Sequence, residues 1–180
     1  MRLLRVLLLP CAFLPAPVFA EFSHSPQGFT VKHEIQASQG AEAVWHALIH
    51  DVGLWWEASH TYSGDATNLS INPEPLGCFC ERWPGGGVVH MTVLQAQPAK
   101  LLRLGGGLGP LQDFAVSGSM TISLEENDAG TRVALVYHVA GIIDGEMSTW
   151  ASAVDGVLKA QLTGLSSHLK GGKPDQANSP

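Results

Sequence analysis

Apolar and polar residues alternate along two neighbouring segments of the chain, Phe114–Glu125 and Thr131–Ala140, which are separated by Asn127-Asp-Ala-Gly130. A period of two is typical of a β-strand with one buried face, and the polar break is typical of a hairpin turn. A third alternating segment, Gly28–Ser38, lies near the start of the chain. These patterns predict an antiparallel sheet with one apolar face, which another element must cover.

A long amphipathic helix is predicted from about Met147 to Leu169, at the end of the chain. It is the only predicted element long enough to cover such a sheet. Five of its apolar residues, spaced to fall on one face, are expected to be buried: Trp150, Val154, Val157, Leu158 and Leu165.

Two short helices, at about 41–51 and 52–56, are predicted directly after the first strand, with a break at Gly53. Further short strands are predicted at 68–72, 77–83, 88–97 and 101–105. Pro84–Gly87 reads as a four-residue hairpin loop, and Gly105–Pro110 as a flexible, exposed connection. The fold class predicted is therefore α+β, as one domain over residues 21–170 followed by a disordered tail at 171–180.

Residues 1–20 have the organisation of a cleavable signal peptide. Arg2 and Arg5 form a basic start, an apolar run follows, and small residues precede a cleavage site after Ala20. The apolar run is too short for a membrane span. Cys11 follows Pro10, where a lipoprotein signal would have a small residue, so we expect an exported, periplasmic or secreted protein rather than a lipoprotein.

Composition and charge restrict the partners. The net charge is −6, and removal of the leader with its two arginines moves it to −8. An acidic chain repels phosphate backbones, so nucleic acid is not expected as a partner. No transmembrane segment is expected in the mature chain, which should be a monomer or a weak dimer.

The order of strand, two short helices, strand meander and long helix resembles the helix-grip fold of the START-like, or SRPBCC, superfamily. Three short sequence segments are similar to those of its bacterial members, which include polyketide cyclases and homologues of heat-shock ATPase activators. They are Ala43-Val44-Trp45, Pro75-Leu76-Gly77-Cys78-Phe79, and Val93-Leu94 followed by Pro98 and Leu101. The resemblance covers about 28–169, and Leu76 stands where those proteins have a glycine.

The resemblance implies a cavity between the sheet and the last helix that holds a lipid, a polyketide or another apolar molecule. We therefore expect a binding protein for a hydrophobic small molecule, without a cofactor. The alternative is a cyclase- or hydrolase-type enzyme that uses a histidine–carboxylate pair in that cavity. A leader would also separate the chain from a cytoplasmic heat-shock ATPase.

Glu81 and His90 are the main candidates for such a pair. A four-residue loop at 84–87 would place them opposite each other, with Cβ atoms about 4.5–5.5 Å apart. They would then either line the cavity with Phe79 and Trp83 as an aromatic box, or lie in solvent while the cysteine-bearing face forms the core. Only the first arrangement would orient a ligand or serve as general acid or base.

Four further residues complete the expected ligand site. His60 and Asp65 lie in a polar loop that could frame the cavity mouth or form an ordinary turn. Tyr137 on the last strand and Trp150 on the long helix are the other two. His33, His90 and His138 lie on separate strands and lack the close spacing of metal ligands, so no metal site is expected.

Cys78 and Cys80 are the cysteines of the mature chain. On a regular strand their Cα atoms would lie nearly 7 Å apart, at the far limit for a disulfide. We therefore expect two free thiols.

Overall fold

The computed structural model describes residues 21–171. The predicted signal peptide, and the predicted tail from residue 172 on, lie outside the described residues. The strands and helices follow in chain order: β1 Glu21–Ser25, β2 Gly28–Ala37, α1 Ala41–His50, α2 Val52–Trp55, β3 Leu69–Ile71, β4 Cys78–Trp83, β5 Gly86–Gln97, β6 Leu101–Gly105, β7 Ala115–Asn127, β8 Gly130–Ile142 and α3 Met147–Leu169. Short 3-10 turns lie at Ala58–His60, Ala66–Asn68 and Gly109–Asp113.

The eight strands form one antiparallel sheet in the order β1-β2-β8-β7-β6-β5-β4-β3. The chain crosses from β2 to the far edge of the sheet through α1 and α2, and then returns strand by strand until β8 pairs with β2. Helix α3 packs across β1 and β2 and contacts both short helices. This arrangement is the α+β, helix-grip architecture predicted from the sequence.

The two halves of α3 have different surroundings. Its C-terminal half is core: Leu158 and Leu165 are 1% and 0% exposed, as predicted. Helix α2 approaches so closely that a Cβ at Gly164 would lie 2.2 Å from the carbonyl oxygen of Trp55, so only glycine fits there. In the N-terminal half, the other three predicted core residues are only half-buried, because they face a cavity: Trp150, Val154 and Val157.

A buried histidine ties the middle of α3 to the sheet. His33 on β2 is 7% exposed, and its Nε2 lies 3.1 Å from the carbonyl oxygen of Asp155 and 2.9 Å from the carboxylate of Asp155. A helix held at its midpoint in this way keeps a fixed distance from the strands.

The hairpin between β4 and β5 is tighter than predicted. Trp83 pairs with Gly86, so the turn is Pro84-Gly85 alone rather than the four residues 84–87. Gly85 has φ +86°, and proline followed by a residue of positive φ is typical of a type II turn. The pairing register of the whole hairpin therefore differs from the expected one.

A β-bulge interrupts the same pair of strands. Phe79 pairs with Met91 and Cys80 pairs with Val89, so His90 is an extra residue without a cross-strand partner. Such a bulge bends the strand and redirects side chains. It explains why His90 and Met91, adjacent in sequence, are both buried, at 4% and 1% exposure.

The expectation of two free thiols was wrong. Cys78 and Cys80 form a disulfide, with their Cα atoms 5.4 Å apart rather than nearly 7 Å. The register shift relative to β5 lies between Phe79 and Cys80, so β4 is irregular at this point, and the two Cα atoms lie within normal disulfide range. The prediction failed because it assumed a regular strand.

Within residues 21–171, no helix is both long enough and apolar enough to cross a membrane.

Candidate functional site

A cavity of about 290 Å³ lies beside the N-terminal half of α3. Its walls come from α3, from the segment that follows α2, from the segment between β6 and β7, and from β5. The lining residues are Trp56, Ser59, His60, Thr61, Tyr62, His90, Leu108, Gly109, Pro110, Leu111, Trp150, Ala153, Val154 and Val157. Most of this surface is apolar.

The helical wall is a stripe of apolar side chains. Trp150, Val154 and Val157 follow one another at spacings of four and three residues, which places them on one face of α3. The Trp150 indole N–H donates to the carbonyl oxygen of Asp144 at 3.1 Å, and its ring packs edge-on against Phe114. A large aromatic side chain is thereby fixed at one end of the cavity.

Tyr137 supports the opposite wall. This fully buried side chain accepts the Leu108 N–H at 2.9 Å and donates to the Gly106 carbonyl oxygen at 3.0 Å. Burial raises the pKa of Tyr137 to about 12, so its hydroxyl remains protonated. Gly105–Pro110 was predicted to be an exposed, flexible connection; instead Leu108 is half-buried and lines the cavity.

His60 joins the cavity wall to α3. The buried Gln161 accepts the Glu57 N–H with its oxygen, at 2.9 Å, which turns its amide nitrogen towards His60 Nδ1 at 2.8 Å. An amide nitrogen only donates, so Nδ1 of His60 acts as the acceptor of this hydrogen bond. The Glu57 carboxylate lies 3.1 Å from the same nitrogen, but it too can only accept, so it makes no hydrogen bond to Nδ1 while Gln161 donates there. One imidazole at the cavity wall is thus held by protein groups.

Glu81 and His90 do meet, although not by the predicted pairing. Glu81 pairs across the sheet with Val88, and the bulge brings His90 Nε2 to 3.0 Å from Glu81 Oε2. Both side chains are buried, with Glu81 0% exposed. The solvated arrangement of the pair is therefore excluded.

The Glu81 carboxylate organises the cavity wall. It accepts the backbone N–H groups of Tyr62 at 3.0 Å and of Ser63 at 2.6 Å, in addition to His90 Nε2. Burial alone would raise the pKa of Glu81, but the hydrogen bonds from these three residues outweigh it and bring the pKa below its ordinary value. The ionised carboxylate is thus held inside the protein, and its hydrogen bonds fix the positions of the 62–63 loop and of His90.

His90 is packed between aromatic residues at the cavity wall. Its ring lies 5.0 Å from the Phe79 ring and 5.8 Å from the Tyr62 ring, centroid to centroid. Burial lowers the pKa of His90 below its ordinary value, against the opposing effect of Glu81. The second ring nitrogen, Nδ1, is buried and has no hydrogen-bond partner among residues 21–171.

The structure distributes the eight predicted site residues over three locations. His60, His90 and Trp150 line the cavity. Glu81, Phe79 and Tyr137 lie buried behind its wall and hold the residues that line it.

Trp83 and Asp65 are not among the lining residues. Trp83 packs over Gly86 at the end of the hairpin, where a Cβ on Gly86 would lie 2.8 Å from the indole ring. Exposed Asp65 accepts hydrogen bonds from the hydroxyl and the backbone N–H of Thr67, which lower its pKa. Asp65 thus forms the ordinary turn that was the alternative to a cavity-mouth role.

Sequence reasoning missed much of the lining. Trp56 looked like a core residue, Leu108 and Pro110 lay in a segment that was interpreted as exposed, and Leu111 directly follows that segment. The available signal was Leu108 within the Gly/Pro-rich segment and Leu111 directly after it, because large apolar residues are seldom left in a fully exposed connection.

Solved structures show the same fold. The protein MLL2253 of Mesorhizobium loti superposes with a TM-score of 0.58 at 21% identity, covering 83% of this chain and 99% of its own. CalU16 of Micromonospora echinospora superposes with a TM-score of 0.54 at 12% identity, covering 83% of this chain and 84% of CalU16. DynU16, from the dynemicin biosynthetic locus, gives 0.57 at 15% identity, covering 81% of this chain and 48% of DynU16. No family model and no curated protein sequence matches the chain, and at these identities the similarity establishes the fold alone.

Proposed function

We propose that this chain is an exported binding protein of the START-like superfamily, which holds a hydrophobic small molecule in the cavity beside α3. The observation that carries the proposal is the apolar lining, built from Trp56, Leu108, Leu111, Trp150 and Val157. Small-molecule sites are typically concave, mostly apolar and provided with a few polar groups. The two histidines in the wall supply those polar groups.

The size of the cavity limits the ligand. A volume of about 290 Å³ lies at the lower end of the range of roughly 300–1,000 Å³ for small-molecule sites. A compact molecule of one or two rings, or a short chain, fits this space better than a whole phospholipid. The half-burial of Val154 and Val157 supports the same interpretation, since an apolar ligand would complete their burial.

Export is supported by residues 1–20 and is consistent with the Cys78–Cys80 disulfide, because disulfides persist mainly in oxidising compartments. N-terminal sequencing of the protein from the envelope or medium should begin at Glu21. Recovery of the chain with its original Met1 from the cytoplasm would contradict export and leave the cavity argument unaffected.

The ligand site can be tested by filling it. Val157→Trp adds a large side chain to the cavity wall, whereas Ser152→Trp adds the same side chain at an exposed position one turn or so earlier in α3. We expect wild type and Ser152→Trp to bind an apolar fluorescent dye the size of 1-naphthol with equal affinity. Val157→Trp should bind the same dye at least tenfold more weakly, which corresponds to about 1.4 kcal/mol of binding free energy. Equal binding by all three proteins would place the ligand elsewhere.

The enzyme alternative is favoured by one observation, the Glu81–His90 pair at the cavity wall. A carboxylate that orients an imidazole, whose other nitrogen is unprotonated, is the arrangement of a general base. Such a base would remove a proton from a water or from an acidic C–H of a substrate in the cavity.

Turnover of 2-naphthyl acetate provides a first test of that alternative. If the pair is catalytic, wild type and His60→Gln should hydrolyse the ester with saturation kinetics, and His90→Gln should lose most of the rate, roughly 10²-fold or more. Equal rates in wild type and His90→Gln would exclude general-base hydrolysis of this ester by the pair.

A further inference from the structure

The tautomer of His90 follows from its partner. Nε2 lies 3.0 Å from an oxygen of Glu81, and an ionised carboxylate can only accept a hydrogen bond. Nε2 therefore carries the proton. A neutral imidazole has a single N–H, so Nδ1 must be an acceptor with a free lone pair. The assignment rests on the hydrogen-bond partner, as histidine tautomers generally do.

This acceptor is buried and unpaired. His90 is 4% exposed, and among residues 21–171 no group donates to its Nδ1. Burial of a polar group without a partner is destabilising, and most such groups in proteins are paired. The second cavity histidine provides the contrast, because Nδ1 of His60 has Gln161 as a partner. Of the two Nδ1 atoms, that of His90 is the one left without a partner among residues 21–171.

We propose that His90 Nδ1 is the polar recognition point of the cavity, and that the ligand is a neutral, otherwise apolar molecule whose hydroxyl group donates to it. This inference rests on the proposed ligand-binding function and names the chemical class of the ligand. The β-bulge at His90 is the structural device that turns the imidazole towards the cavity wall.

The charges around the cavity favour a neutral hydroxyl over a carboxylate. Neither lysine nor arginine occurs among the residues of the described chain, 21–171, that line the cavity. Glu81 touches His90 directly, and burial, followed by the nearby charges of Asp113 and Glu81, raises the pKa of Tyr62. A fatty-acid carboxylate would enter a site without a compensating cation and would be repelled by these groups.

Tyr62 is the exposed neighbour of the His90 ring. Its ring packs against His90 at 5.8 Å but is 51% exposed, and the backbone N–H of Tyr62 is anchored to Glu81 at 3.0 Å. Exposed side chains change rotamer on a picosecond-to-nanosecond timescale. The ring can therefore swing aside for a ligand while the loop stays in place.

Three probes of similar size test the class: 2-naphthol, 2-methylnaphthalene and 2-naphthoate, with affinities measured by calorimetry at pH 7.5. The quantity compared is the preference for 2-naphthol over 2-methylnaphthalene. We expect His90→Phe to reduce this preference about tenfold relative to wild type. His46→Phe, the same change at an exposed histidine of α1 that does not line the cavity, should leave the preference unchanged, and 2-naphthoate should bind more weakly than 2-naphthol.

A measurement on wild type covers the case in which His90→Phe does not fold. With ¹⁵N-labelled histidine, the Nδ1 resonance of His90 should shift when 2-naphthol is added and stay in place with 2-methylnaphthalene. If both probes bind but Nδ1 responds equally to both, or tighter binding goes to 2-naphthoate, the hydroxyl proposal is overturned and ligand binding stands. If none of the three binds, both proposals are contradicted.

Discussion

Glu81→Gln should destabilise the protein through hydrogen bonds that an amide cannot make. The carboxylate accepts the Ser63 N–H on Oε1, and the Tyr62 N–H together with His90 Nε2 on Oε2. Glutamine keeps one acceptor oxygen and presents an NH₂ donor in place of the other. Neither orientation of the amide can therefore satisfy both backbone N–H groups.

The magnitude follows from that count. At least one partly buried backbone N–H loses its partner, which costs about 1–3 kcal/mol, and the surviving bonds change from charge-assisted to neutral, roughly another 1 kcal/mol. The free energy of unfolding should fall by about 2–4 kcal/mol.

Urea unfolding at pH 7 measures this directly, as a lower midpoint with an unchanged m-value. Glu34→Gln is the matched control, because Glu34 lies on the same sheet and pairs with Arg132 at 2.8 Å, but both side chains are partly exposed. The control should lose less than about 1 kcal/mol. Equal, small losses in both variants would refute the argument that Glu81 organises the loop.

Four other outcomes are expected. Denatured, unreduced mature protein should show no free thiol at Cys78 or Cys80 on titration; two thiols per chain would contradict the disulfide. Leu158→Ala should lower the free energy of unfolding by about 2–5 kcal/mol, since Leu158 is 1% exposed in the core; a loss under about 1 kcal/mol would remove it from the core. Leu76→Gly should raise the free energy of unfolding by roughly 0.5–1 kcal/mol, because Leu76 is 86% exposed at φ +67°, and Leu76→Ala should bring no such gain. The pKa of His90 is lower in the folded protein, so the unfolded chain binds a proton at this histidine first as the pH falls below about 6.5, and the folded state loses stability. The melting temperature of His90→Gln should therefore decline less steeply than that of wild type over the same pH range.

The elements with long, regular patterns were predicted well. The helix Met147–Leu169 has the predicted ends, and β7 and β8 begin and end within two residues of the predicted strands. In each case one face meets the core over many residues, so the period is visible in the sequence. The missed strand, Glu21–Ser25, is only five residues long and follows directly on the predicted cleavage site.

The candidate site was less predictable because it depends on one irregularity. The bulge at His90 changes the register and buries two adjacent side chains, and it lies beside the Cys78–Cys80 disulfide. A period-two pattern contains no signal for an extra residue, so the Glu81–His90 contact was expected for the wrong geometric reason.

The glycine-rich segment after β6 illustrates a second limit. Its glycines were interpreted as a sign of exposure and flexibility, but Tyr137, thirty or so residues later, fixes that segment through two hydrogen bonds. Local composition does not reveal such long-range contacts, which decide whether a loop lines a cavity.

Native mass spectrometry of the mature protein, isolated from its own compartment, tests the central claim most directly. The proposed function predicts one hydrophobic organic molecule per chain, which solvent extraction releases and which Val157→Trp no longer retains. Recovery of wild type at the mass of the bare polypeptide, with an extract that matches that of Val157→Trp, would contradict a ligand-binding role for the cavity.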